Sequence, residues 1–386
     1  LVTDLTIINN GDSILKIVAD QNMLMVAELF GQLGAIEYLP GREISAADVA
    51  DADILLVRSV TRVDKALLEG SSVSFVGSAT IGTDHVDQVY LAEQGIRFAH
   101  APGCNANAVV QYDLSVLSNL QPDWQNRTLG IVGCGNVGGR VYRALKSLGV
   151  KCRVYDPFLT AEQNPDLVDF ESVLAADIIC VHTPLTNDGP FPTKHLFNAD
   201  VLASLSEDTL LINAGRGAVI DNTALLALLE SGSKLRVALD VWEPEPNINC
   251  QLLERVLLAS PHIAGYSREG KIRGTEMLAE DYFQWSSGVT FRSAEAVDTD
   301  ADADADADAG LVQGENLSEF VLASYNIADD DRRMRAAIAN RSDSVAEVFD
   351  RLRKDYPQRR EFSYFRVDSE TAKESVITQA RLLGFI

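Results

Sequence analysis

The sequence predicts an α/β protein: two doubly wound parallel-sheet domains, one split in sequence around the other, then a small α+β domain. Three observations carry this. Apolar strand-like runs alternate with helix-period stretches from about residue 15 to about 290, the pattern of a parallel sheet between helix layers. A glycine-rich turn, LGIVGCGNVGGR at residues 129–140, falls in the middle of that alternation. An acidic low-complexity run, DTDADADADADA at 298–309, separates it from a last region of different pattern.

Lys16–Asp20 reads as the first strand, and Met23, Val26, Ala27, Phe30 and Leu33 share a helical face. Strands at Ala35–Tyr38, Ile54–Val57 and Ser74–Val76 alternate with helices near Ala46 and Leu67. Two strand ends lead into the loops Arg58-Ser59-Val60-Thr61 and GSATIGTD (77–84). Open α/β sheets hold ligands beyond the carboxyl ends of their strands. The hydroxyls and the arginine suit a phosphate or carboxylate. The same residue types also serve ordinary turns and helix caps. Ala101–Leu117 opens a long helix that leads into the middle domain.

There an apolar run (Leu129, Ile131, Val132) ends in Gly133, Gly135 and Gly138, and Val137, Val141, Ala144, Leu145 and Leu148 continue at helical spacing. Gly133 permits a tight turn, Gly135 lets backbone approach a pyrophosphate, and Gly138 lets the helix pack close to the strand. The helix start at Asn136 and Val137 offers free N–H groups to phosphates. A second strand, VKCRVYDP, brings Asp156 near the distance expected of a carboxylate on the adenosine ribose, where it repels the extra phosphate of NADP. The reading is a Rossmann domain that binds NAD through Gly133, Gly135, Asn136, Val137, Gly138 and Asp156.

Three further strands, Asp177–Val181, Thr209–Asn213 and Leu235–Leu239, end at His182-Thr183-Pro184-Leu185, Ala214-Gly215-Arg216-Gly217 and Asp240-Val241-Trp242-Glu243-Pro244-Glu245-Pro246. The stretch from Ser260 to Tyr266 then precedes a helix from about Ser267 to Ser286. Arg216, Glu245 and His262 thus stand at separate strand ends. Removal of a hydride from a 2-hydroxy acid needs these types. Histidine takes the hydroxyl proton, a carboxylate fixes its tautomer, and arginine pairs with the substrate carboxylate. Taken singly, the histidine could be a core residue and the glutamate a turn acid.

NAGRGAVID, LDVWEPEP and SPHIAG resemble the motifs of the D-isomer-specific 2-hydroxyacid dehydrogenases. The resemblance covers about residues 16–287. It implies a split substrate domain around an NAD domain, with Arg216, Glu245 and His262 as the catalytic set. LLVRSVTRV, FVGSATIGTDHVD, APGCNANAVV, HTPLTNDGP and HIAGYSREGKIRGT resemble one branch of that family more closely, as do YNIADDDRRMRAAI and FDRLRKDYPQRREF in the tail. That branch oxidises a small phosphorylated hydroxy acid in vitamin B6 synthesis and dimerises through its C-terminal domain. By this resemblance Ser59, Thr80 and Tyr266 contact substrate. Asp156, Thr183, Ala214, Gly215, Arg216, Asp240 and Gly265 contact NAD. Arg58 is the candidate for the substrate phosphate, with Lys271 or Arg273 in second place. The alternatives are another hydroxy acid such as 3-phosphoglycerate, or a non-catalytic NAD-sensing protein.

A formal net charge of −23 argues against nucleic acid or an anionic membrane surface as partner, and there is no apolar run long enough for a membrane span. Five scattered cysteines without a CxxC pattern point to reduced thiols in the cytoplasm. The histidines lack metal-ligand spacing, so no metal is expected. Residues 1–14 read poorly as a domain start and are either an upstream extension or foreign to the natural chain. The expected domains are 15–106 with 267–290 (substrate), 107–266 (NAD), 291–310 (linker) and 311–386 (dimerisation). In the last, Phe320–Tyr325 and Phe362–Val367 read as strands, Ser344–Asp355 and Thr371–Leu382 as helices. Its basic patch, Arg351, Arg353, Lys354, Arg359 and Arg360, is either a solvated helix face or the source of an arginine for a partner subunit's active site.

Overall fold

The computed structural model describes residues 14–287 and 310–386; most of the expected N-terminal extension and of the expected linker lie outside them. Contacts divide the described residues into two compact units, 14–104 with 271–287, and 105–270 with 310–386.

The first unit runs β1 (Leu15–Asp20), α1 (Val26–Phe30), β2 (Gly34–Leu39), α2 (Ala46–Val49), β3 (Ile54–Val57), α3 (Lys65–Leu68), β4 (Phe75–Ser78), α4 (Gln88–Glu93) and β5 (Arg97–His100). The strands form a parallel sheet in the order β2-β1-β3-β4-β5. Successive side chains of a strand face opposite ways. Ile17 and Ala19 of β1 and Ile54 and Leu56 of β3 therefore enter one core, while Val18, Leu55 and Val57 enter the other. Burial on both faces is why these strands read as continuous apolar runs. The strand order reverses between β1 and β3, so the loop after β3, which carries Arg58 and Ser59, lies at the switch point.

The second unit opens with α5 (Ala106–Leu120), then β6 (Thr128–Val132), α6 (Asn136–Ser147), β7 (Lys151–Tyr155), α7 (Phe170–Leu174), β8 (Ile178–Val181), α8 (Ala199–Ser204), β9 (Leu210–Asn213), α9 (Asn222–Glu230), β10 (Arg236–Leu239), α10 (Cys250–Arg255) and β11 (Leu258–Ala259). Its six-stranded parallel sheet is ordered β11-β10-β9-β8-β6-β7, with its switch between β6 and β8. The chain returns through α11 (Arg268–Ser287), whose Leu278, Ala279, Tyr282 and Phe283 close one face of the first sheet.

The C-terminal segment contains β12 (Leu311–Val312), α12 (Leu317–Ser324), α13 (Ile327–Ala339), α14 (Val345–Lys354), β13 (Arg366–Val367) and α15 (Glu374–Leu382). Phe320 and Val321 share a core with Tyr112 and Val116 of α5. Met334, Ile338, Val348 and Phe349 join the core on the other face of the second sheet. Ser115 Oγ donates to Tyr325 O at 2.9 Å and accepts from Ile327 N at 3.0 Å. The Ser115 hydroxyl, wholly buried on α5, thus finds its partners in the C-terminal segment.

The α/β architecture is the one expected, with local differences. Of the run Phe320–Tyr325, Phe320–Ser324 is helical and Tyr325 is the extended residue that ends the helix; Asn316 caps α12 by accepting from Glu319 N at 3.1 Å. Phe362–Val367 divides into a 3-10 turn (Phe362–Tyr364) and the two-residue β13. The helix expected from Ala101 starts at Ala106, and the strand expected at Ser74–Val76 runs from Phe75 to Ser78.

Candidate active site

In the second unit the turn after β6 has the geometry its glycines imply. Gly133 adopts φ 86° and donates to Tyr155 O at 2.8 Å, closing the turn against β7. A Cβ on Gly138 would lie 1.9 Å from Gly133 O, so no side chain fits between helix and turn. Gly135 is the opposite case: a Cβ there meets nothing within 4 Å. No side chain caps the start of α6. Its N-terminal N–H groups and positive dipole end are therefore not met by a capping side chain. Thr183, at the end of β8 across the switch, has a buried Oγ1 with no hydrogen-bond partner. An open approach at Gly135, an uncapped helix start and an unpartnered hydroxyl fit a dinucleotide pyrophosphate.

Asp156 stands just past β7. Its Oδ2 accepts from Cys134 N at 2.8 Å and its Oδ1 from Phe158 N at 3.0 Å. The carboxylate is oriented by backbone and each oxygen keeps a lone pair for a sugar hydroxyl.

Three adjacent strand ends, those of β9, β10 and β11, build the reacting centre. Asn213 accepts from Gly215 N at 3.1 Å and donates to Arg216 O at 3.0 Å, which folds the Ala214–Arg216 turn back on its strand. Half-buried Arg216 donates from Nη1 to Gly215 O at 2.9 Å. A Cβ on Gly217 would lie 1.8 Å from Trp242 O, so the arginine turn lies directly on the β10 loop. Asn222 ties the two further, accepting from Glu243 N at 3.0 Å and donating to Ile220 O at 2.9 Å. The β10 loop joins the β11 loop through Trp242 Nε1, which donates to Ser260 O at 3.0 Å. His195 adds a brace, its Nε2 lying 2.9 Å from both carboxylate oxygens of Glu243.

On this frame His262 Nδ1 lies 2.7 Å from Glu245 Oε2, while Glu245 Oε1 accepts from Trp242 N at 2.8 Å. His262 has φ 58°, a left-handed conformation that a non-glycine residue holds only where its surroundings impose it. The imposing group is Asp240. Its buried carboxylate accepts from Ile263 N at 2.7 Å, Ala264 N at 3.0 Å and Ser260 Oγ at 2.6 Å. Burial raises the Asp240 carboxyl above its ordinary range, against the opposing effects of His262 and these donors. Glu245 moves the other way. Burial would raise it, but the charge and hydrogen bond of His262, the Trp242 N–H and the charge of Arg353 hold it below the usual carboxylate range. Nδ1 is thus committed to a carboxylate, and Nε2 is the nitrogen left for a proton of substrate.

The other expected residues are placed as follows. Gly265 packs on Asn105, where a Cβ would sit 2.1 Å from Nδ2. The Tyr266 ring meets Tyr356 edge-on at 5.8 Å. His182 is not part of the reacting centre; its side chain is wholly buried, with Nε2 2.9 Å from Asp113 Oδ2 of α5. Ser59, Arg58 and Thr80 belong to the first unit. Ser59 is exposed. The hydroxyl of Thr80 donates to Gly82 O at 2.7 Å and lies 2.7 Å from Ser78 Oγ, which in turn lies 2.9 Å from His85 Nε2. Arg58 has Lys271 as an electrostatic neighbour. Burial, and then the Arg58 charge, lower the Lys271 ammonium to about 8, with buried Asp20 opposing. Two neighbouring cations, one of them desolvated, are chemically able to receive a multiply charged anion. Arg273 instead donates from Nε to Cys104 O at 2.8 Å. Asn213 and Trp242 lie within NAGRGAVID and LDVWEPEP, and Asn222 just past the first, yet the sequence assigns none of the three a role. The contacts of Asn222 and Trp242 join separate strand ends, those of Asn213 stay within one turn, and neither kind leaves a periodic signal.

Residues 110–264 match the NAD-binding domain of the D-isomer-specific 2-hydroxyacid dehydrogenases, and residues 303–384 match a domain of unknown function. The erythronate-4-phosphate dehydrogenase of Teredinibacter turnerae is 50% identical over 96% of this chain and 98% of its own length. The chain belongs to the erythronate-4-phosphate dehydrogenase family. The Cellvibrio japonicus member is 48% identical over 96% of this chain and 99% of its own length. Among solved structures, an NAD+-bound 3-phosphoglycerate dehydrogenase of Entamoeba histolytica shares the fold (TM-score 0.61, 24% identity, 72% of this chain and 97% of that one). The family assignment and the geometry agree on an NAD-dependent dehydrogenase acting on a CH–OH group. Among the described residues no helix is long and apolar enough to cross a membrane.

Proposed function

We propose that the chain oxidises 4-phospho-D-erythronate at C2 to 2-oxo-3-hydroxy-4-phosphobutanoate, a step toward pyridoxal 5′-phosphate. The observation that carries this reading is the His262–Glu245 pair at 2.7 Å. When bound, NAD+ accepts the hydride from C2. His262 Nε2 takes the proton of the C2 hydroxyl, and Glu245 stabilises the resulting imidazolium and fixes its tautomer. Arg216 holds the substrate carboxylate and C2 oxygen, and Tyr266, Ser59 and Thr80 contact the rest. Arg58 and Lys271 receive the 4-phosphate. Gly133, Gly135, Asn136, Val137 and Gly138 cradle the NAD pyrophosphate, and Asp156 binds its ribose. Thr183, Ala214, Gly215, Arg216 and Gly265 line its remaining path, and Asp240 acts from beneath the His262 loop. A paired imidazole and carboxylate beside an arginine favours this over a purely sensing protein, which needs no proton relay.

The chain is further assigned to a cytoplasmic homodimer that pairs through residues 311–386. Support comes from free cysteines and from Leu311, Leu382 and Ile386, all exposed on the C-terminal segment. Sedimentation of the intact protein tests the dimer.

The deciding experiment follows NADH at 340 nm with NAD+ and 4-phosphoerythronate, beside 3-phosphoglycerate and unphosphorylated erythronate. A 2-oxo acid is added in parallel to reoxidise any retained NADH. Preference for 4-phosphoerythronate is the expected result. Preference for 3-phosphoglycerate overturns the substrate, and NADH binding without turnover of any of the three overturns the enzyme.

A further inference from the structure

We propose that the C-terminal segment completes the active site of its own chain, with Arg353 of α14 as a positioning residue that orders Tyr266 and Glu245. The inference rests on the function proposed above and gives a task to a segment matching a domain of unknown function.

Arg353 Cζ stands over the Tyr266 ring, 5.9 Å from its centroid, within cation–π range. Its Nε is buried without a hydrogen-bond partner, so this guanidinium is not a solvated surface charge. Burial works against its charge, yet Tyr266 and Glu245, with Asp350 of its own helix, hold it above the ordinary arginine range. The attraction is mutual, since Arg353 is among the groups holding Glu245 ionised.

Neighbouring contacts grip the same loop. Arg359 donates to Ala264 O, and to Ala108 O at 3.1 Å, while lying over the Tyr325 ring at 4.3 Å. Arg359 O accepts from Arg268 N at 2.9 Å. Tyr356 meets the Tyr266 ring and donates from its hydroxyl to Asp330 Oδ2 at 2.8 Å. The loop that carries His262 is therefore held at residues 264, 266 and 268 by residues more than eighty positions further along the same chain. No second copy of the chain is needed for any of these contacts.

Arg353 faces Glu245 of the β10 loop, Tyr266 of the β11 loop and Asp350 of its own helix, with His262 paired to Glu245 and Tyr356 packed on Tyr266. Its positive charge is among the groups that hold Glu245 ionised, so its loss lets that carboxyl protonate at higher pH. A protonated Glu245 no longer supports the proton transfer, so kcat/KM falls on the acid side. The test is the pH profile of kcat/KM for Arg353→Gln and Arg353→Lys, with a cycle against Tyr266→Phe. The expected result for Arg353→Gln is an acid limb displaced upward by ~1 pH unit, the low end for loss of a nearby charge. Arg353→Lys keeps the charge and is expected to keep the limb while raising KM, because the planar fork is lost. The Arg353 and Tyr266 effects are expected to be non-additive. A uniform loss of activity with an unmoved limb, or additive effects in the cycle, would overturn the proposal. If Arg353→Gln does not fold, the cycle of Arg353→Lys with Tyr266→Phe decides by additivity alone: non-additive effects on KM support the proposal and additive effects overturn it. Failure of the wild-type protein to turn over sinks the proposed function instead, so the two failures are distinguishable.

Discussion

Replacing Glu245 by Gln probes the reacting centre more sharply than deleting it. Glu245 Oε1 accepts from Trp242 N at 2.8 Å, and Oε2 faces His262 Nδ1 at 2.7 Å. A glutamine has one acceptor and one donor end. Its carbonyl is drawn to the Trp242 N–H, because turning its NH2 there sets donor against donor in a buried site, at a cost of ~1–3 kcal/mol. The NH2 then faces His262 Nδ1, which must accept. That places the imidazole proton on Nε2, the nitrogen meant to take a proton from substrate. The carboxylate-to-amide change in a serine-protease triad, which traps the wrong tautomer in the same way, costs about 10⁴-fold in kcat. A loss of ~10²–10⁴-fold is therefore expected here. Glu245→Ala removes the bond but leaves the imidazole free to choose its tautomer. Its loss is that of a charge-assisted hydrogen bond, ~1.5–3 kcal/mol or roughly 10–150-fold. The unusual expectation is that Glu245→Ala outperforms Glu245→Gln. The assay is kcat for NADH formation with both variants at saturating NAD+ and substrate. A glutamine variant within about threefold of wild type (~0.7 kcal/mol), or one that outperforms the alanine variant, would refute the reasoning.

Lys271, lowered to about 8, binds phosphate as the ammonium, so its contribution is present below that pH and lost above it. KM for 4-phosphoerythronate is expected to climb toward tenfold per pH unit on the alkaline side, the slope of one linked proton, and to lose that slope in Lys271→Met. An unaltered slope in the variant would remove Lys271 from the phosphate site. Gly138→Ala puts a Cβ 1.9 Å from Gly133 O and is expected to destabilise the protein by at least ~1–3 kcal/mol in urea titration. Gly135→Ala meets no protein atom within 4 Å. It should change stability by no more than ~0.5 kcal/mol yet weaken NADH binding at least ~tenfold, about 1.4 kcal/mol. Equal effects of the two alanines on stability would contradict the proposed cradle. Asp156→Ala is expected to narrow the preference for NAD over NADP, measured as the ratio of kcat/KM values; an unchanged ratio would take that role from Asp156.

What was legible from the chain alone was what local chemistry imposes. Gly133 and Gly138 announce a turn because only glycine fits there. The strands β3 and β8 announce burial on both faces by unbroken apolar runs. Arg216, Glu245 and His262 are visible because each follows such a strand, where a parallel sheet exposes its loops. Other features needed the fold. A six-residue apolar run such as Phe320–Tyr325 suits a strand or a buried helix equally. The Asn316 cap and the cover that α5 and α12 give each other made it a helix. Asp240 carries no sign in sequence that its carboxylate holds the His262 loop, since its partners lie more than twenty residues away. Arg353 looked like one charge in a basic stretch. Sequence determined which residues could do the chemistry, because residue type and spacing within a turn are local. Only the tertiary structure decided which of them share a charge environment, because hydrogen bonds and Coulomb forces act through space and ignore distance along the chain.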